Sequence, residues 1–418
     1  MRRQLPWLAA VILPFCAGAS AYVALMPLLR SDDPMPSHPP AIRRVSIEAP
    51  PPAAPELPPS EPSAEVPTLS QSAKHEIEQR EHALASELKK MWTTDPERLV
   101  NVIDNASMSA PASPSVSMLL AIAHAETNGH ILDVSEAGAV GLAQATPVAI
   151  RQENMFDGGK LFVTPDYLTG SRAYIMKKPL GDADTIASLV VARDTAEVRA
   201  KALRLLDSAF TLRREGVDEL TLLEIFASPR YAPSIEDADA HNLEVLRRLK
   251  TLLKHGNRAQ LRAFRDKTRR EYRALKQTQV VTWARYQHDL IAKRDRMLEQ
   301  HFHAPAKRVW KEDPYEAGEY LGDALDVRFS ATKQAAFLVR HLERKAREAK
   351  KLAGRQGNVN EMTAALYNGG SHNVKRMLAG LIVSLPETER YMKKVPATAR
   401  RLELAAGTYD ISHERTLR

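Results

Sequence analysis

Hydrophobic and polar positions alternate in different ways along successive stretches of the chain. From Leu5 to Leu29 apolar residues run without a charge, preceded by Arg2 and Arg3. About 20 apolar residues cross a bilayer as a helix, and basic residues ahead of such a run mark the cytoplasmic side. Residues 1–30 therefore read as a membrane segment with the rest of the chain exported. Two forms stay open: an uncleaved signal anchor, or a signal peptide removed at Ala19-Ser20-Ala21. Residues 31–72 lose the pattern altogether. Twelve of the 27 prolines fall between 31 and 68, mixed with Ser, Ala and Glu. Proline fixes φ and removes a donor, so this linker is extended chain rather than a fold. At about 3.1 Å per residue it reaches on the order of 100 Å.

Helical spacing begins at Ala73. Ile77, Leu84, Leu88 and Met91 share one face of a helix ending near Trp92, and Thr94-Asp95-Pro96-Glu97 reads as a capping box for a second helix through Ile103. Residues 73–111 form this helical lead-in. In 112–150, Ser113-Pro114-Ser115 supplies a cap and an early Pro. Met118, Leu119, Ile122 and Ala125 then give a buried stripe, and Gly129 a left-handed stop. Residues 151–323 read as further helices. Segments near 184–213 and 217–228 are amphipathic, Pro229 to Pro233 breaks the pattern, and Asn242 to His303 runs without a Pro, interrupted only by Gly256. In that last stretch Leu261, Phe264, Tyr272, Leu275, Trp283, Tyr286, Leu290 and Met297 make a narrow apolar stripe. A final periodic stretch, with Ala335, Ala336, Leu338 and Leu342, opens the segment 324–400; residues 401–418 are a tail. The fold class this predicts is mostly α.

The net charge of +8 favours an anionic partner. It is concentrated in 242–303, where Arg and Lys far outnumber Asp and Glu. The simplest reading is a solvated long helix with one packed seam. A binding arm for an anionic polymer, lipid headgroups or a protein partner is the other. Nucleic acid is disfavoured by the export signal and the lack of a recognisable nucleic-acid module. Cys16 is the single cysteine, so the exported part has neither an intramolecular disulfide nor a thiolate metal site. The histidines are scattered; His301 and His303 point to different sides of a helix. No cofactor or metal is expected.

Glu126 is the carboxylate shaped for chemistry. It lies in the last turn of its helix, at the unfavourable end of the macrodipole, beside an apolar stripe that desolvates it. Both effects raise its pKa towards that of a general acid. The next twenty residues carry a pattern: Ser135, Gly138, Ala139, Gly141, Leu142, Gln144 and Pro147. With Glu126-Thr127, this resembles the soluble-type lytic transglycosylase signature Glu-Ser, gap, Ser-x-x-Gly-Ala-x-Gly-Leu-x-Gln-x-x-Pro. Thr127 replaces the usual Ser, and Ala143 stands where Met is common. Downstream, Ala364-Ala365-Leu366-Tyr367-Asn368-Gly369-Gly370 resembles the family's Ala-x-Tyr-Asn-x-Gly element, and Leu385-Pro386-Glu387-Thr388-Glu389-Arg390-Tyr391 with Val395 its closing helix.

The resemblance implies a lysozyme-like transglycosylase domain in two pieces, 112–150 and 324–400, split by the helical insertion 151–323. Relative to compact members, on the order of 100–150 residues have been inserted. It further implies that Glu126 alone acts as acid and then base on the bond between N-acetylmuramic acid and N-acetylglucosamine in peptidoglycan. The product would be a 1,6-anhydro sugar, with the body in the bacterial periplasm, held on the inner membrane or released. Ser135 and Gln144 would donate hydrogen bonds in the cleft, Tyr367 would lie near Glu126, and Asn368 would brace its loop. Asp326 and Arg328 would be structural. Two alternatives remain: a non-catalytic wall-binding scaffold, and a hydrolytic muramidase with Asp133 or Glu136 as a second acid.

Overall fold

The structure is a computed structural model that describes residues 71–108, 114–153, 159–224, 233–354, 357–382 and 384–407. The expected membrane segment 1–30, nearly all of the expected proline-rich linker 31–72 and the end of the tail lie outside these residues. No helix among the described residues is long and apolar enough to cross a membrane. The chain is mostly helical, and its only extended pairings there are the isolated bridges Val134–Val140 and Val140–Ala145. Thr68–Arg418 forms one compact unit.

The lead-in is two helices, α1 (Gln71–Lys90) and α2 (Pro96–Met108). Lys89 and Lys90 sit in the last turn of α1, where cations suit the macrodipole. In α2, Pro96 opens the first turn and Leu99, Val100 and Ile103 are buried. Next, α3 (Val116–Thr127) starts two residues later than the sequence predicts. Its cap is Ser115, whose Oγ accepts from the Met118 amide at 3.3 Å, so Pro114 precedes the cap rather than following it. Leu119, Leu120 and Ile122 in α3 are fully buried, each worth about 1.5–3 kcal/mol of apolar transfer.

After the short α4 (Pro147–Gln152) come α5 (Pro165–Ala192), α6 (Ala196–Glu224), α7 (Pro233–His255) and α8 (Arg258–Phe302). The sequence predicts one amphipathic segment over 184–213; the structure breaks it between α5 and α6. There Arg193 is extended and Thr195 Oγ1 accepts from the Val198 amide at 3.3 Å, which starts a new helix. The interruption at Gly256 falls as predicted. Asn257 and Gln260 form a reciprocal capping box that opens α8. At 45 residues, α8 is about 65 Å long and packs lengthwise on α5.

The remaining elements are α9 (Ala306–Glu312), α10 (Pro314–Ala324), a 3₁₀ turn (Val327–Phe329), α11 (Ala331–Ala353), α12 (Val359–Gly369), α13 (Ser371–Leu378) and α14 (Pro386–Ala405). One core runs through α1, α2, α3, α11 and α14, and it includes Tyr167 from α5 and Tyr286, Leu290 and Leu298 from α8. A second core joins α5, α6, α7 and the start of α8. The helices of 151–323 thus share the central core as well as making one of their own. The seam of α8 is less apolar than its stripe predicts. Thr268, Gln279, Thr282 and Arg294 are buried along it, while Tyr272, Leu275, Trp283 and Met297 are half-buried.

Candidate active site

The site starts from the way α3 ends. Asn128 takes the left-handed conformation and returns its amide to His124 O, so the helix stops two residues after Glu126. The Asn128 side-chain amide donates to Trp92 O at 2.6 Å and pins this end to the lead-in. Glu126 is half-buried, and Oε1 accepts a 2.7 Å hydrogen bond from the Tyr391 hydroxyl on α14. Its pKa is pushed up to about 7 by burial, against the lowering effect of the Tyr391 bond and with a further push from the charge of Glu387. Tyr391 is 8% exposed, and burial together with the Glu126 charge holds its hydroxyl protonated well above the usual phenol range. It therefore has a proton to donate to the Glu126 carboxylate.

Tyr367, at the end of α12, donates to Ala143 O at 2.6 Å, and its phenol is likewise raised by burial and by the Glu126 charge. His341 packs edge-on to the Tyr367 ring at 5.5 Å and stacks on Phe337 at 5.0 Å. Burial pushes His341 down to about 4, so it stands neutral with Nδ1 2.7 Å from Glu153. Asn368 Oδ1 accepts from Thr388 Oγ1 at 2.9 Å, which ties the end of α12 to the start of α14. Glu126, Tyr367 and Tyr391 are brought together in this way.

The loop after α3 folds back on itself. Ser135 Oγ accepts from the Ala139 amide at 3.0 Å, and Gln144 Nε2 donates to Gly141 O at 3.0 Å. Gly138 and Gly141 both have positive φ, and a Cβ on either would stand 2.0 Å from Tyr286 or from Gln334. Beneath the loop lies the Asp326–Arg328 pair, expected to be structural and fully buried here. Arg328 donates to Asp326 at 2.7 and 3.0 Å, to Gly138 O at 2.7 Å, to Ala145 O at 3.2 Å and to the Tyr286 hydroxyl at 2.7 Å. Gln334 receives the Leu142 amide and donates to Ile131 O and Phe329 O.

Nothing in the residue pattern hints that α8 buttresses this loop. Arg294 Nη1 donates to Leu132 O at 2.6 Å, Gln287 to Val134 O at 3.0 Å, and the Tyr286 hydroxyl to Phe162 O at 2.8 Å. Arg294, one of the many cations of 242–303, is 3% exposed and lies 3.9 Å over the Trp310 ring. Tyr391 is legible as a motif position, but its bond to Glu126 needs the fold.

A cavity of about 660 Å³ opens beside these residues, lined by Gln144, Tyr367 and Asn368 among others. Ser135 is not among its lining residues; it braces the loop instead. Glu126 is not in the lining either; Tyr367 lines the cavity and feels the Glu126 charge. Of the acids weighed as partners for Glu126, Asp133 and Glu136 are exposed, and Asp133 has His130 and Arg294 as its electrostatic neighbours. The carboxylate whose charge reaches Glu126 is Glu387. Comparison with family profiles, curated proteins and solved structures finds no match to the chain.

Proposed function

We propose that this chain is a peptidoglycan lytic transglycosylase with a lysozyme-like domain, acting outside the cytoplasmic membrane with Glu126 as its single acid and base. The observation that carries the proposal is the half-buried Glu126, raised to about 7 and held on one oxygen by Tyr391 at 2.7 Å. A carboxyl with that pKa is protonated in a large fraction of molecules near neutral pH and becomes a competent base once ionised. Because Oε1 accepts from Tyr391, the proton belongs on Oε2.

In the reaction, Oε2–H protonates the glycosidic oxygen between N-acetylmuramic acid and N-acetylglucosamine. The C1–O bond breaks, and the acetamido group of the substrate supports the cationic carbon. The Glu126 carboxylate, steadied by Tyr391, then takes the proton of the C6 hydroxyl, whose oxygen closes on C1 to form the 1,6-anhydro ring. Atoms balance without water, and both nucleophiles belong to the sugar, so a second protein carboxylate is unnecessary. Asp133 and Glu136 are exposed and neither is among the charges that act on Glu126, which supports this over two-acid hydrolysis.

The test is mass spectrometry of the soluble products from purified peptidoglycan incubated with the full-length protein and with Glu126→Gln. Anhydro-ended fragments from the wild type alone are the expected result. Reducing ends would indicate hydrolysis. The absence of products with retained wall binding would indicate a scaffold.

A further inference from the structure

The wall of the cavity beside Tyr367 carries an imidazole that the reaction at Glu126 does not use. His341 projects from the middle of α11, lines the cavity and is 8% exposed. Two neighbours fix which of its nitrogens holds the proton. Nδ1 stands 2.7 Å from Glu153 Oε1 and 3.2 Å from Arg344 Nη2, and Arg344 Nε donates to the same carboxylate oxygen at 2.7 Å. Burial would raise the pKa of Glu153, but the bonds and charges of His341 and Arg344 outweigh it and hold the carboxyl below its usual range. Glu153 is therefore ionised and accepts only. A bare Nδ1 would set two lone pairs against each other at 2.7 Å. The proton is on Nδ1, the approach of Arg344 Nη2 is a contact rather than a bond, and Nε2 keeps its lone pair.

That lone pair is left over by the protein. Among the described residues, both ring nitrogens of His372 are closed off without a partner, whereas Nε2 of His341 is unbonded yet open. The cavity that His341 lines is what Nε2 opens on.

An open acceptor takes a donor, and the surrounding charges choose its kind. Lys345 and Arg344 disfavour a proton on the ring, and they disfavour a cationic donor beside it for the same reason. Nor does the wall ask for an anion. Arg344 is paired with Glu153, Lys345 donates to Ser371 at 2.7 Å, and Lys375 lies 3.1 Å from Glu348. What remains is an uncharged O–H or amide N–H. The rings of Tyr174, Trp283 and Phe337 give the same cavity flat apolar surface. Aromatic faces with a few neutral polar groups suit a sugar ring, which is apolar on its faces and polar at its rim.

We infer that His341 is a sugar-binding residue: its Nε2 accepts a hydroxyl or acetamido N–H of the glycan in the cavity, and Glu153, with Arg344 behind it, sets the ring for that task. This deepens the reading of Glu126 as a peptidoglycan lyase and rests on it for the choice of ligand. The bond is made to bound substrate and kept through cleavage, so it contributes to binding rather than to the chemical step.

The experiment uses the full-length Glu126→Gln protein and a peptide-free tetrasaccharide of alternating N-acetylglucosamine and N-acetylmuramic acid. In nitrogen-15 NMR of the histidine rings, the His341 signals are those lost in His341→Asn. Nε2 should read as unprotonated in the free protein and move to a hydrogen-bonded position at saturating tetrasaccharide. A protonated Nε2, or no movement at saturation, would overturn the inference. By calorimetry, adding His341→Asn, whose amide keeps the bond to Glu153 but leaves the ε position empty, should weaken binding about tenfold. His341→Gln, which returns an amide oxygen to that position, should recover most of the loss. Unchanged affinity in His341→Asn would also overturn the inference. In protein that retains Glu126, His341→Asn should raise KM by the same factor with kcat nearly unchanged. Anhydro products with an unchanged KM would remove this subsite and leave the Glu126 chemistry standing. Glycan binding that depends on His341, without products, would do the reverse.

Discussion

Arg328 and Glu126 are both taken out of water, and the fold treats them in opposite ways. Arg328 is enclosed completely and bonded on every side, by Asp326, two loop carbonyls and the Tyr286 hydroxyl. Burial would lower its pKa, but the Asp326 charge and hydrogen bond, with Tyr286 and Tyr167, together outweigh it and raise it, so Arg328 stays charged. Glu126 receives one neutral hydrogen bond from Tyr391 and a like charge from Glu387, and burial prevails. Full pairing makes a charge structural, whereas underpairing leaves a proton free to move. The difference between knot and site lies in the partners.

The sharpest way to break this comparison is Glu126→Gln. Loss of a positioned acid and base should cut product formation by about 10²–10⁴-fold, read by the anhydro-muropeptide assay. Stability should move the other way. A carboxyl whose folded pKa is raised keeps its proton where the unfolded chain has lost it. Folding is therefore penalised increasingly as pH climbs from 4.5 to about 7. The variant should thus be more stable than wild type by up to about 3 kcal/mol at pH 8 and indistinguishable at pH 4, in denaturant titrations.

Arg328→Met should show the mirror image. It strands Asp326 and two loop carbonyls, costing about 3–5 kcal/mol at any pH where Asp326 is ionised. Activity should fall only as far as folded protein is lost. Equal destabilisation by the two substitutions would erase the distinction.

Tyr391→Phe sharpens the account further. It removes the bond that holds the Glu126 pKa down, so the alkaline limb of kcat/KM should shift to higher pH. The rate should drop by about tenfold, the scale of one lost hydrogen bond to a charged group. Asn368→Ala breaks the tie from α12 to α14 and should cost about 1 kcal/mol of stability, with a smaller effect on rate. Smallest of all, Ser135→Ala should cost at most about 1 kcal/mol and leave the pH profile unchanged, because Ser135 braces the loop.

How much of this could be read along the chain depends on the range of each interaction. The helices of the lead-in, α3 and the break at Gly256 follow from local periodicity and turn chemistry, which neighbouring residues carry. The raised pKa of Glu126 follows from its place beside an apolar stripe, another local feature. The roles of Ser135 and Arg294 were not legible. Ser135 faces its own loop because Gly138 permits the chain to reverse, and Arg294, unlike a solvated cation, turns inward to satisfy Leu132 O. Tyr391 reaches Glu126 from 265 positions away, a pairing that only the packing of α3 on α14 creates. Periodicity also cannot tell a freestanding arm from a buttress; α8 is the second, through Tyr286, Gln287 and Arg294.

Glu126 is held protonated by an environment that underpairs it. Carbon-13 NMR of the Glu side-chain carboxyls, titrated from pH 4 to 9 in wild type and Glu126→Gln, reads it directly. The account predicts one resonance, missing from the variant, that titrates with a midpoint near 7. A Glu126 resonance titrating at 4.5, as for a carboxyl in water, would contradict it.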